Sequence, residues 1–313
     1  MTDAGRPIPT GRFAPSPTGP LHLGSLVAAL GSWLFARAKG GRWLVRMEDL
    51  DAPRVVPGAA DDILRTLERF GLTWDGDVVF QSRRLAHYDA ALEDLLGRKE
   101  IFACACSRAD LLRAASAPAA SDEADAAGSV AVYPGTCREG LPPGKAARAY
   151  RFRVPAGLFT FEDRLSGPVS DNLEVSVGDF VVKRADGPYA YQLAVVVDDA
   201  AQGVTEVVRG ADLLGSTARQ IALQRALGLP TPAYAHLPLV LGPDGKKLGK
   251  RDGALPLETL DEARATGSLR TALRILGQQP ATGRPREILE EAARRFDPSA
   301  IAPGPFRLTA ADC

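Results

Sequence analysis

The sequence has no excess of positive charge that would mark a nucleic-acid-binding protein. Its 313 residues carry 38 Lys and Arg against 38 Asp and Glu, so the formal net charge at neutral pH is zero. A neutral chain has no overall field to attract nucleic acid, which excludes proteins that bind it through a basic tail. Any contact with nucleic acid must therefore come from a local patch.

Export signals, membrane segments and disulfide frameworks are also missing. Residues 1–10 contain no apolar run of the kind found in secretory signals. No stretch approaches the roughly 18 consecutive apolar residues of a membrane helix. Four cysteines are too few for a disulfide scaffold in a chain of this length. We therefore expect a cytoplasmic protein with reduced thiols and no membrane contact.

What is present is an ordinary globular composition, with 45% hydrophobic and 24% charged residues. The first hundred residues alternate strand and helix patterns. Apolar residues from Leu23 to Leu34 recur at helical spacing until Gly40 and Gly41, and a buried strand, Trp43–Met47, follows. Two more helical patterns follow, around Ile63–Phe70 and Leu85–Leu96. This alternation predicts an α/β fold with a Rossmann-like parallel sheet.

The middle of the chain has a different pattern. An Ala-rich segment, 107–131, is followed by short β-type runs, and this section predicts an inserted α+β module. Parallel-sheet character then resumes, with strands predicted at Tyr189–Val197, Val204–Val208 and His236–Leu241 and a helix at Ser216–Leu227 capped by Ser216 or Thr217. We expect four regions: core 1–102, insert 103–188, core 189–255 and a helical C-terminal region 256–313.

Two loops carry candidate chemistry. Residues 15–25, PSPTGPLHLGS, join the first strand to the first helix, and a helix N-terminus favours phosphate binding. Residues 245–252, GKKLGKRD, form a glycine-flanked basic loop after the last strand of the second core region. Taken separately, the first could be a Pro-rich turn and the second a solvated loop.

Together the two loops resemble the signatures of class I aminoacyl-tRNA synthetases, and residues 12–252 resemble their glutamate-specific branch. His22, Gly24 and Ser25 lie in the HIGH-type element, and Lys247 and Lys250 in the KMSKS-type element, where Gly249 replaces the usual Ser. The resemblance implies that these residues bind ATP, with His22 and Lys250 catalytic and Mg²⁺ accompanying the nucleotide. It also implies L-glutamate as a substrate, held by six residues: Arg12, Ala14, Ser16, Glu48, Tyr191 and Arg209.

Within the branch, the chain most resembles the glutamyl-Q tRNA(Asp) synthetases, which attach glutamate to a queuosine base in the anticodon of tRNA(Asp). Residues 209–217, RGADLLGST, match the form found in that family. About 60 residues follow the basic loop at 245–252, called the lysine loop below, so we expect no full anticodon-binding domain. Two alternatives remain open: a compact glutamyl-tRNA synthetase that charges a tRNA 3′ end, and an inactive nucleotide-binding paralogue.

The cysteines are clustered as Cys104, Cys106 and Cys137, with Tyr133 four residues before the last of them. From the residues alone, three buried apolar cysteines are the simpler interpretation. The resemblance implies instead a structural Zn²⁺ held by these four residues, with water as the alternative fourth ligand.

For glutamate, two guanidiniums can meet two carboxylates, and Glu48 can pair with the α-ammonium. The alternative is that Arg12 and Arg209 form structural salt bridges with Glu48 or Asp49. We expect glutamate to be activated without tRNA.

Overall fold

The computed structural model describes residues 8–107, 109–111, 132–246, 248 and 257–309. The strands are β1 (Thr10–Phe13), β2 (Arg42–Met47), β3 (Val79–Phe80), β4 (Ile101–Cys104), β5 (Ala149–Phe152), β6 (Phe159–Asp163), β7 (Gly167–Asp171), β8 (Val181–Lys183), β9 (Glu206–Gly210), β10 (Ala233–Leu237), β11 (Val240–Leu241) and β12 (Phe306–Arg307). The helices are α1 (Leu23–Arg37), α2 (Ala59–Arg69), α3 (Leu85–Gly97), α4 (Leu173–Ser176), α5 (Tyr191–Ala201), α6 (Thr217–Ala226), α7 (Glu262–Ile275) and α8 (Pro285–Arg295).

Parallel strands form the centre of the fold. β2 pairs with β1 and β3, and β10 pairs with β9 and β6, all in parallel register. The two groups adjoin where the Thr205 amide donates to the Thr10 carbonyl, 2.9 Å away. The strand order therefore reverses between β1 and β9, and open α/β sheets bind ligands at such a reversal, beyond the carboxyl ends of the strands. The expected α/β fold with a parallel sheet is confirmed.

Helix α1 shows why the first segment folds as the pattern predicts. It is buried over most of its length, including Leu26, Leu30 and Leu34, and it packs against the sheet. Gly40, with a φ of +64°, takes the left-handed conformation that follows the end of the helix. The main core joins α1 and the sheet to α2, α7 and α8.

The prediction of a strand at Tyr189–Val197 was wrong, because residues 191–201 form helix α5. The apolar run with three consecutive valines favoured a strand. In the fold this segment is buried on several sides, so it shows no helical stripe, and tertiary packing overrides the local preference. Tyr191 therefore begins a helix and does not share a strand face with Tyr189.

Ser216 occupies the N-cap position of helix α6, one of the two residues predicted, but its side chain does not cap the helix. A 3₁₀ segment, Ala211–Ser216, runs directly into the helix, and Ser216 has helical backbone angles without a capping hydrogen bond from its side chain. The hydroxyl of Thr217 instead accepts a hydrogen bond from Arg209. The helix is thus continued from a preceding turn, which removes the need for a side-chain cap.

The middle of the chain contains antiparallel structure. β5 lies between β4 and β8, and β6 forms a hairpin with β7. β6 also pairs with β10, so this hairpin extends the second group of parallel strands. The division at 103 and 188 stays a prediction. Within the described residues, no helix is long and apolar enough to cross a membrane.

Candidate active site

A cavity of about 630 Å³ opens at the carboxyl ends of β1, β2, β9 and β10. Nine of the residues implied by the resemblance line it: Arg12, Ala14, Ser16, His22, Gly24, Ser25, Glu48, Tyr191 and Arg209. Lys247 and Lys250 lie outside the described residues. Residues far apart in sequence thus meet at one ligand-sized opening, where the strand order reverses.

Arg12, at the end of β1, is buried, and a carboxylate of helix α5 holds its guanidinium. Its Nε donates to Asp199, with N···O distances of 3.2 and 3.3 Å, and the neighbouring Arg46 donates to the same carboxylate at 2.7 Å. Burial raises the pKa of Asp199, but the two guanidiniums outweigh it and hold that pKa below its usual value. The Nη groups of Arg12 have no hydrogen-bond partner among the described residues, so they are available to a carboxylate.

Glu48 follows β2, lines the cavity and is attracted to both of these guanidiniums. Its partner is Arg46, at a long 3.4 Å. Burial raises the pKa of Glu48, and attraction to Arg46 and Arg12 only partly offsets this. A buried carboxylate with a raised pKa gains from a cation brought next to it, and a ligand ammonium would supply one.

Arg209, in β9, is 5% exposed and donates only to uncharged acceptors. Its shorter contacts face away from the cavity, to Gln220 at 2.8 Å and Thr217 at 2.9 Å. Its longer contacts, both 3.3 Å, go to Tyr191 Oη and the Leu213 carbonyl, which line the cavity. Among the described residues no carboxylate lies within ion-pair distance of this guanidinium. A buried cation without a carboxylate partner gains from an anion brought next to it.

The expected alternative of salt bridges to Glu48 or Asp49 is therefore not found for either arginine. Arg12 pairs with Asp199, whereas Asp49 accepts from the backbone and hydroxyl of Ser82. The carboxylate partner of Arg12 comes from helix α5, whose first seven residues the sequence pattern had assigned to a strand ending at Val197.

The N-terminus of α1 forms another wall of the cavity. His22 is the N-cap residue, and its Nδ1 accepts from the Ser25 amide at 3.3 Å. A Cβ at Gly24 would lie 3.1 Å from the His22 ring, so glycine leaves room for the imidazole. Free amides and the positive end of the helix dipole make this end suitable for phosphate groups.

The lysine loop begins beside this wall. The Leu248 amide donates to the Val240 carbonyl at 2.9 Å, and Leu248 lines the cavity. Lys246 is exposed and pairs with Asp244.

A second cluster lies at the end of β4. The Sγ atoms of Cys104, Cys106 and Cys137 are all within 4.8 Å of one another and could hold a metal ion. The hydroxyl of Tyr133 is 3.6 Å from Cys104 Sγ and 3.9 Å from Cys106 Sγ. Burial raises the pKa of Cys104, but hydrogen bonds from Tyr133, the Cys106 backbone and Arg151 outweigh it and lower the pKa. Burial and the neighbouring sulfurs raise the pKa of Cys106 to about 11.

Several residues that build the site were missed at the sequence level. They are the partners of the arginines, namely Asp198, Asp199, Gln220 and His236, together with Asp163, which contacts His236. Asp198 accepts from Gln81, Arg84 and Tyr88 and anchors the same end of α5. Asp198 and Asp199 are adjacent, and Asp163 and Gln220 each follow another polar residue, so no spacing pattern marked them as part of a site.

Known proteins resemble this chain over nearly its whole length. The family model of the class I tRNA synthetases (E and Q), catalytic domain, matches residues 10–298. A glutamyl-Q tRNA(Asp) synthetase from Geobacter sulfurreducens is 58% identical over 309 residues, covering 96% of each chain. The enzyme of the same name from Aromatoleum aromaticum is 55% identical, covering 93% of this chain and 88% of its own.

Among solved structures, a glutamate tRNA ligase from Elizabethkingia meningosepticum, in complex with its amino acid, superposes with a TM-score of 0.78. It is 28% identical, and the match covers 98% of this chain and 68% of the other. Sequence and fold agree, and the chain belongs to the class I tRNA synthetases of the E and Q group.

Proposed function

We propose that this chain activates L-glutamate with ATP and transfers it to a queuosine base in the anticodon of tRNA(Asp). The observation that carries the amino-acid assignment is the buried Arg209, which faces the cavity without a carboxylate partner among the described residues. The relatives named glutamyl-Q tRNA(Asp) synthetases support the acceptor. Since the acceptor is a tRNA, the reaction belongs in the cytoplasm.

Glutamate binds between the two arginines. Arg209 meets the side-chain carboxylate by replacing its two long contacts, and the Nη groups of Arg12 meet the other carboxylate. Glu48 pairs with the α-ammonium, and Tyr191 adds its hydroxyl to the same ligand. Ala14 and Ser16 line the approach from the loop after β1. Three charged groups of the substrate thus meet three groups of opposite charge on the protein.

The first step forms glutamyl-adenylate. The α-carboxylate oxygen attacks the α-phosphorus of ATP, and the bond from that phosphorus to the bridging oxygen breaks to release pyrophosphate. His22, Gly24 and Ser25 at the start of α1 hold the phosphates, and Lys247 and Lys250, which the family resemblance assigns to ATP, supply positive charge to them. Mg²⁺ bound to ATP would screen the remaining negative charge of the phosphates. The protein positions the reactants and stabilises charge on the phosphoryl oxygens. In the second step a hydroxyl of queuosine attacks the adenylate carbonyl and AMP leaves.

The activation step is tested by ATP–pyrophosphate exchange with glutamate and no tRNA. Every proposed substrate contact lies in the core, so we expect exchange without tRNA. Lys250→Ala should lower the exchange rate by about 10²-fold or more, the usual loss for one charge-stabilising group. Lys246→Ala, which removes an exposed lysine of the same loop, serves as the control and should change little. Exchange that requires tRNA, or no exchange at all, would contradict this step.

The cysteine cluster fits a structural Zn²⁺. In tetrahedral sites with Zn–S bonds of about 2.3 Å, ligand sulfurs lie about 3.8 Å apart. Cys106 Sγ and Cys137 Sγ are 3.7 Å apart, and the Tyr133 hydroxyl completes the group at similar distances from Cys104 and Cys106. These residues would hold a structural Zn²⁺ that links β4 to the segment at 133–137. The metal would take no part in the reaction.

Metal analysis tests the proposed structural Zn²⁺ site. Protein purified without chelator should contain one zinc per chain, and Cys104→Ser should lose it and unfold at a lower temperature. Cys313→Ser, which removes the cysteine outside the cluster, is the control. Tyr133→Phe distinguishes the ligand, because retained zinc would mean that water completes the set. A metal-free wild type with full activity and the same unfolding temperature would show that the thiols only pack.

A further inference from the structure

A hydrogen-bonded chain behind Arg209 connects it to a buried carboxylate. Arg209 Nε donates to His236 Nε2 at 3.1 Å, and His236 Nδ1 lies 2.6 Å from Asp163 Oδ2. The His236 and Asp163 side chains are fully buried, and neither residue lines the cavity. The chain runs from β6 through β10 to β9 and ends at the guanidinium.

The Thr217 hydroxyl also lies 3.2 Å from His236 Nε2, and these contacts together favour one protonation state for each member of the network. An ionised Asp163 accepts the Nδ1 proton, which leaves the Nε2 lone pair of a neutral His236 to accept from Arg209. Burial raises the pKa of Asp163, but hydrogen bonds from His236 and two backbone amides lower it. Burial lowers the pKa of His236, and the charge of Arg209 acts in the same direction. An acceptor therefore faces Arg209.

We propose that Asp163 and His236 are positioning residues that set the orientation of Arg209 and thereby the preference for glutamate. This proposal rests on the assignment of Arg209 to the side-chain carboxylate. The Nε hydrogen bond orients the guanidinium so that each Nη group also donates to a cavity-lining residue, Tyr191 or Leu213. The negative charge of Asp163 stands one imidazole away, so it partly compensates the guanidinium without contacting either Nη group.

Asp163→Asn tests this role, because it alters the hydrogen bonds between Asp163, His236 and Arg209 while the side-chain volume stays nearly the same. Asp163 Oδ1 accepts from three amides, those of Leu165, Ser166 and His236, at 2.9–3.3 Å. An asparagine that keeps these contacts must place its NH₂ group towards His236 Nδ1. The imidazole then carries its proton on Nε2, where it opposes the Arg209 Nε–H, as in a catalytic triad whose aspartate is replaced by asparagine.

In ATP–pyrophosphate exchange we expect Asp163→Asn to raise the KM for glutamate by about 10-fold or more, with an unchanged KM for ATP. Tyr234→Phe is the matched control. Tyr234 lies on the same strand as His236 and accepts a buried hydrogen bond from Gln224 of helix α6. Phenylalanine removes that bond but keeps the ring near Arg209, so it should lower stability without raising the KM for glutamate.

A second pair of variants keeps the test decisive if Asp163→Asn folds poorly. His236→Gln retains an acceptor near the Nε2 position, whereas His236→Asn retains a partner only for Asp163. Glutamine should therefore preserve the affinity for glutamate better than asparagine does. Equal glutamate KM values in the wild type, Asp163→Asn and His236→Asn would overturn the positioning role. If Arg209→Ala also leaves glutamate use unchanged, the assignment of the pocket fails instead.

Discussion

Replacing Arg209 with alanine is expected to lower kcat/KM for glutamate by about 10²- to 10³-fold and to leave the KM for ATP nearly unchanged. In the wild type the side-chain carboxylate of glutamate neutralises a buried guanidinium. Leaving one member of such a pair without its partner costs about 3–5 kcal/mol, and each 1.4 kcal/mol corresponds to about a factor of ten. The variant leaves the substrate carboxylate without a counter-charge.

The same argument predicts how the enzyme treats glutamine. Wild-type protein should activate glutamate far better than glutamine, because a neutral amide leaves Arg209 without an anion in direct contact, and Asp163, one imidazole away, offsets its charge only in part. Arg209→Ala should lose most of this preference. The measurement is exchange kinetics with both amino acids in both proteins.

Arg219→Ala is the control for Arg209→Ala. Arg219 lies on α6 and donates to Gly215 and Ser216, but it does not line the cavity. Its replacement should leave the amino-acid preference intact. If Arg209→Ala keeps the wild-type preference for glutamate, Arg209 is a structural residue and the pocket assignment is wrong.

The sequence was informative where function requires a fixed local arrangement. The turn before α1 needs proline and glycine at set positions, and His22 and Gly24 follow it in a recognisable order. The ends of β1, β2 and β9 carry Arg12, Glu48 and Arg209, and a parallel sheet brings such ends together. These constraints act over a few residues, so they leave a readable pattern.

The sequence was less informative where tertiary packing determines the secondary structure or the contacts of a residue. Helix α5 contains three adjacent valines and is buried on several sides, so neither propensity nor periodicity identified it. The error concealed Asp199, whose carboxylate holds Arg12 only because α5 ends behind β1. Asp163 and His236 come from strands that join in the middle of the sheet, 73 residues apart. Such contacts depend on the completed fold.

The most direct test of the account is transfer of labelled glutamate to tRNA(Asp) that carries queuosine and lacks its 3′-terminal adenosine. The account predicts that the tRNA is labelled in proportion to its queuosine content. The same tRNA without queuosine should remain unlabelled, as should tRNA(Glu) with an intact 3′ end. Label that requires the terminal adenosine and ignores queuosine would contradict the account and identify a compact glutamyl-tRNA synthetase.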